Sequence, residues 1–420
     1  MNRIIQKKPK KGEKMELKTK YQYTYFIYPY VIEQNKYGEY LYKLLKKKQC
    51  KLKLFDRKKD IEIDTYFLPE IKEKLFWSLD LSKEGLKDYE TMDLKMKANV
   101  LSKKNACIFE YSLGQDIPAK IGEEDGIFFD ITKIEIVCFS TGICFLLIKT
   151  ILNEQASFPD VLNFNYKFRD IQSPTGKTKQ YDNIKIQTNQ FQNMQTFSEF
   201  IKQIAGLNII AKQINLETNR LITYSYTCLD QNSWNENTDL KIIEKEFEKY
   251  RHIGTAGEQI DDVTVKREPV YQEKYKYYGF SSNSTVLLTS ASNIKNYTSL
   301  LFEYETVQLY HFLYHLHQKV YLKKLNFEFV KTKDFNKVKQ RFLNFAKKEW
   351  IYEVTNDIKG VILEKYFKKA QRLEETFLKL KNEYDLLYKE YEVDKTNKHH
   401  NWIIAVVTIM IAINLISLFW

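Results

Sequence analysis

The sequence has little arginine. Of its 66 basic residues eight are Arg and 58 are Lys, and the net charge is +12 over 420 residues. Asn, Ile and Tyr are also abundant, so much of the basicity reads as the residue usage of an AT-rich genome. The remainder reads as attraction toward anionic lipid or a phosphate-bearing ligand. Patterned cysteine is missing as well. Cys50, Cys107, Cys138, Cys144 and Cys228 show neither Cys-x-x-Cys nor metal-ligand spacing, and an odd count without a disulfide pattern fits a reducing compartment. No apolar run follows the lysines of Met1–Lys14, so no signal peptide is expected. There is no Gly-x-Ser-x-Gly elbow and no paired Cys/His motif. The chain therefore reads as a non-enzyme with no metal, no cofactor and no nucleic-acid partner.

What is present is apolar and aromatic. A hydrophobic fraction of 44% with 15% aromatics excludes a disordered chain, and the length exceeds one typical core. Residues 1–20 read as a basic mobile arm, and 21–290 as an α+β ligand-binding domain. Strands are expected at Tyr21–Tyr30 (ending near Pro29), in Leu52–Phe67, and at Ala106–Tyr111, Gly126–Phe129, Ile131–Phe139, Ile143–Ile151 and Leu221–Leu229. Helices are expected after Phe158-Pro-Asp160, at Phe197–Ala205 and at Leu240–Tyr250. Residues 297–359 read as a helical region that Leu325–Val330 interrupts.

The chain is organised around its last sixty residues. Leu363, Tyr366, Ala370, Leu373, Phe377, Leu380, Tyr384, Leu387 and Tyr391 alternate steps of three and four, the a/d seam of a coiled coil. Residues 360–401 therefore read as an oligomerising stalk helix. Residues 402–420 are apolar and uncharged with Trp402 and Trp420 at the ends, which predicts one C-terminal transmembrane helix. With Lys395 and Lys398 before it, the bulk of the chain is expected in the cytoplasm, held on a cell membrane. The stalk register continues through Asn401, Ala405, Thr408 and Ala412, marking these as pore or helix-packing residues. Asn414 falls off that seam and needs a polar partner or a wet pore.

Four constellations could carry binding. Thr175-Gly-Lys-Thr178 resembles a phosphate loop, but Ile171 stands where the first Gly belongs, so a surface turn is the better account. His311 and His315 lie one helical turn apart with His317 nearby. The residues between them are Phe-Leu-Tyr, and packing or interface roles are favoured over a metal. The acidic clusters Glu123-Glu-Asp125 and Asp261-Asp262 read as solvated loops. In the polar-aromatic stretch Phe158–Asp170, Asn163, Asn165 and Arg169 could present amide and guanidinium groups to a phosphate or a base edge.

The order of parts resembles the CorA superfamily of divalent-cation channels. Local texture agrees at Tyr310–Val320, at Trp350–Gly360 and at Asn397-Lys-His-His-Asn-Trp402. The resemblance implies a pentameric homo-oligomer in a bacterial inner membrane, gated by a ligand on its cytoplasmic domain. The family's Gly-Met-Asn signature and second span have no counterpart in these residues, which argues against a Mg²⁺ or Co²⁺ transporter. That pattern is similar to the CorA-like effectors of type III CRISPR antiviral defence, which answer to nucleotide second messengers such as an S-adenosylmethionine–AMP conjugate. A tail-anchored scaffold without a pore is the remaining alternative.

Overall fold

The computed structural model describes residues 17–122, 126–153, 156–170, 185–191, 195–206, 220–258, 270–331 and 335–418, with backbone alone at a few helical positions that include 412–418. In chain order the first half runs β1 (Thr19–Val31), α1 (Tyr37–Lys46), β2 (Cys50–Leu52), α2 (Ile61–Tyr66), α3 (Pro69–Leu75), α4 (Lys83–Thr91), α5 (Leu94–Ser102), β3 (Ala106–Tyr111), β4 (Ile117–Ile121), β5 (Ile127–Phe139), β6 (Ile143–Leu152) and α6 (Phe158–Phe168). The second half runs β7 (Lys185–Thr188), β8 (Gln195–Thr196), α7 (Phe197–Ala205), β9 (Ile222–Leu229), α8 (Leu240–His252), β10 (Val270–Glu273), β11 (Lys276–Phe280), β12 (Ser284–Ser290), α9 (Ser299–Glu303), α10 (Leu309–Lys331), α11 (Phe335–Asn344), α12 (Ile358–Ala370) and α13 (Leu373–Leu418).

All twelve strands belong to one sheet, ordered β10-β11-β12-β9-β1-β6-β5-β4-β7-β8, with β3 paired to β5 and β2 to β3. Every pairing is antiparallel except β9 with β12. Alternate residues of β1 serve opposite faces. Phe26, Tyr28 and Tyr30 enter a layer formed with α1, α5, α6, α7 and α8. Tyr23, Tyr25 and Ile27 enter a second layer formed with α2, α3, α9, α10 and α12. The chain is thus a mixed α/β domain with helices on both faces, rather than the expected α+β arrangement.

Four local expectations shift. β1 runs past Pro29 to Val31. Its pairing with β9 ends at Ile27, so the missing N–H at Pro29 falls beyond the β9 ladder. The runs at 126–129 and 131–139 are one strand, β5, with a register shift between Ile131 and Lys133. Of the segment 52–67, expected extended, Leu52 ends β2 while Ile61–Tyr66 form α2. Leu325–Val330 does not interrupt the helix, because α10 folds back against α11 and Phe329 packs on Phe342.

The stalk is corrected in two ways. It is not one helix from Gly360, since α12 ends at Ala370 and Arg372 takes a left-handed φ of 51° before α13 begins. The first half of the expected seam is also occupied within the chain. Phe377, Leu380 and Tyr384 pack on Phe342, Phe345 and Trp350, with Trp350 and Phe377 stacked at 4.3 Å. α13 then runs unbroken to Leu418.

The transmembrane helix is corrected as well. Among the described residues no helix is long and apolar enough to cross a membrane. The single C-terminal span and the inner-membrane placement built on it are therefore withdrawn. Of the residues assigned to a pore, Asn401, Ala405 and Thr408 are exposed, and the Thr408 hydroxyl donates to the Ile404 carbonyl. The side chains of Ala412 and Asn414 lie outside the described residues.

Phe342 holds α13 to the body through rings on Phe329, Phe377 and Tyr384. Phe342→Ala should cost about 3–5 kcal/mol locally. Amide exchange is expected to accelerate across residues 373–391 and to stay slow in β1 and β6; uniform acceleration would show that the arm and sheet unfold together.

Candidate metal centre

The second helical layer contains a closed polar cluster. α10 is buried on every side from Leu309 to Val320, so the polar residues it carries there are withdrawn from water. His311 and His315 share one face of it, fully buried, with ring centroids 5.1 Å apart. Opposite them α12 supplies Glu364, 4% exposed. His311 Nε2 lies 3.9 Å from Glu364 Oε2, and His315 Nε2 lies 3.8 Å from Oε1. One donor atom from each residue falls within 4.8 Å of the other two. Phe367 closes one side against both imidazoles.

Each ring is held from behind. Gln318 Nε2 donates to the carbonyls of Glu349 and Ile351, which fixes the amide so that its Oε1 faces His315 Nδ1 at 3.0 Å. An accepting oxygen requires the proton on Nδ1. His315 Nε2 is then a bare lone pair aimed at a carboxylate oxygen. His311 Nδ1 meets the Tyr66 hydroxyl at 2.8 Å. Tyr66 reaches it past Gly360, where a Cβ would stand 2.7 Å from the Tyr66 oxygen and 2.5 Å from Thr355 Cγ2. Hence Gly360 is the close approach that lets α12 pack here.

The electrostatics favour the ligand forms of the imidazoles. Burial pushes the His311 pKa well below its ordinary value, helped by His315, and lowers that of His315 to about 3. Burial raises Glu364, while Lys368 and the Val354 N–H work to keep it ionised. Lys368 Nζ sits 2.7 Å from Glu364 Oε1, and the Val354 N–H donates to Oε2 at 3.1 Å. Both His Nε2 atoms lack a hydrogen-bond partner. A tetrahedral metal with bonds of about 2.0–2.1 Å separates its ligand atoms by roughly 3.4 Å, and these three lie within 4.8 Å of one another, so the triad needs to close by up to about 1.4 Å.

The structure does not gather the residues singled out on α6 into one pocket. Asn165 is buried and structural: its Oδ1 accepts from Thr24 and its Nδ2 donates to Ser225, tying α6 to β1 and β9. Asn163 accepts the Ala256 N–H at the side of a separate cleft. Arg169 ends α6, stacks over Tyr166 and stands 3.8 Å from Asp170. The Thr175–Thr178 motif and both acidic clusters lie outside the described residues. The histidine pair was visible in the sequence, but Glu364 was hidden among the polar positions of the stalk seam. Its one signal was burial, which seam spacing assigns to its neighbour Leu363 instead.

No family model, no curated protein and no solved structure matches this chain.

Two tests follow from this geometry. Asn165→Ala should lower stability by roughly 1–3 kcal/mol in denaturant titrations, because Thr24 and Ser225 lose a buried partner. In metal-stripped protein, His311, His315 and His317 all have depressed pKa values, His317 also to about 3. The unfolded chain therefore takes up protons below its His pKa of about 6.5 that the folded chain refuses. Stability should be fully present above pH 6.5 and fall by about 1.4 kcal/mol per histidine for each pH unit below it. Glu364, shifted upward, blunts the lower part of that window. Thermal unfolding at pH 7.5, 6.5 and 5.5 measures the slope.

Proposed function

We propose that this chain is a divalent transition-metal-binding protein whose centre is His311, His315 and Glu364. The observation that carries the reading is the bare Nε2 of His315, buried and 3.8 Å from a carboxylate oxygen. A lone pair facing a carboxylate is repulsive unless a cation lies between them. Lys368 neutralises Glu364 from the far side but offers no proton to either imidazole. A metal ion satisfies all three groups at once.

Two imidazoles and one carboxylate form the ligand set of zinc sites with an open position and of non-haem iron(II) sites. Mg²⁺ prefers an oxygen shell, so the centre lends no support to magnesium handling. Tyr66 and Gln318 are the outer partners that such imidazoles require. Because α10 lies on the sheet and α12 leads into α13, a metal here fastens the root of the long helix to the body. The ligand control expected of the stalk is thereby retained, with a metal as ligand and without a membrane span.

Isothermal titration with Zn²⁺ of chelator-stripped protein should show one site per chain. His315→Ala should abolish it, and Gln318→Leu should weaken it by about 10–100-fold. At 100 times the dissociation constant, zinc should stabilise the fold by about 2.7 kcal/mol. Zinc binding that survives both His311→Ala and His315→Ala would refute the assignment.

A further inference from the structure

Glu364 is shared by two environments. Its inner side meets the imidazoles, and its outer side borders a cleft of about 480 Å³ at the break between α12 and α13. That cleft is lined by four cationic side chains, Lys365, Lys368, Lys369 and Arg372. Lys368 is the hinge between the two environments: it bonds Glu364 and the Tyr352 carbonyl while its stem lines the cleft. Three further carboxylates border the same space, those of Glu353, Glu374 and Glu375.

The charge balance depends on the metal. Without one, four cations face four carboxylates and the cleft is neutral. With a divalent ion on Glu364 the balance becomes positive by two charges. Two cations then compete for one carboxylate, and Lys368 loses its hold on Glu364 as the metal takes it.

We infer that this cleft is a metal-dependent site for a small phosphate-bearing ligand. One phosphate oxygen completes the metal's coordination from the outer side of Glu364, and the released Lys368 ammonium, with Lys365, Lys369 and Arg372, holds the remaining oxygens. The inference rests on the metal centre proposed above. It gives the centre an open position and a route in from solvent, both of which a fully enclosed His₂Glu triad otherwise lacks. No covalent bond of the phosphate is made or broken in this step: a metal–oxygen bond to phosphate would form as one to any bound water breaks.

Cobalt(II) separates the two readings, because its visible spectrum reports its coordination shell. Stripped full-length protein is loaded with Co²⁺ and titrated with inorganic phosphate and, separately, with AMP. Expected is a change in the d–d bands at saturating phosphate, at least tenfold weaker apparent affinity in the exposed-site variant Lys365→Gln/Lys369→Gln, and unchanged Co²⁺ binding in that variant. A response to AMP at lower concentration than to phosphate identifies a nucleotide; a response to phosphate alone identifies the free anion. Lys368→Gln should bind Co²⁺ more tightly and phosphate more weakly than the native chain. Co²⁺ bound with bands insensitive to both ligands would overturn the phosphate site and leave the metal centre standing. Failure to bind Co²⁺ would overturn both.

Discussion

Ten consecutive residues of β1, Gln22 to Val31, are buried, so this strand must find partners on both faces as well as both edges. That constraint arranges everything else. Its polar side chains are each answered from a distance: Gln22 donates to the Leu152 carbonyl, and Thr24 joins Asn165 and Ser225. The tyrosines of its second face reach a single place. Tyr23 donates to the Leu301 carbonyl and Tyr25 to Glu305, while Tyr224 of the neighbouring strand donates to the Tyr304 carbonyl. Residues 304–308 form a turn of π-helix under these hydroxyls, and α10 starts directly after it. One added residue per turn there rotates all that follows, so the anchoring of β1 also fixes which face of α10 turns His311 and His315 toward α12.

Buried ions elsewhere in this layer are paired. Glu135 meets Lys53 and Lys133, and Glu305 meets Lys149. The His–His–Glu cluster differs because two of its three donors face one another with nothing between them. Polar groups withdrawn from water are costly when they lack partners, and the expense is greatest where like-signed atoms converge. This contrast, within one face of one sheet, separates the cluster from an ordinary buried network.

Strands with strong β-formers and clear turns were legible in the sequence: β3 and β6 fall where their apolar runs stand, and α7 and α8 start where expected, while α6 starts at Phe158, ahead of the position expected after Asp160. The layer arrangement was not legible, since a strand buried on both faces and one buried on a single face can share composition. The seam spacing from Leu363 to Tyr391 was real as a pattern of burial, yet its partner was misjudged. A three-four alternation states that a helix has a packed stripe, and is silent on whether that stripe meets another copy or, as here, α11 of its own chain. The histidines were visible and their ligand partner was not, because Glu364 comes close to them only through the fold-back of α12 past Gly360.

The left-handed turn at Arg372 carries a mechanical consequence. α13 leaves it as an unbroken helix of 46 residues, about 69 Å long. Only its first part, to about Tyr391, is braced by α11. A backbone rotation of ten degrees at this pivot, unopposed, would sweep the far end through roughly 12 Å, several times the displacement of any atom near the turn. The molecule therefore has the geometry of a lever with a short inner arm beside Glu364 and a long outer one. Changes of about an ångström at the inner end are the scale on which a metal ion would draw these ligands together.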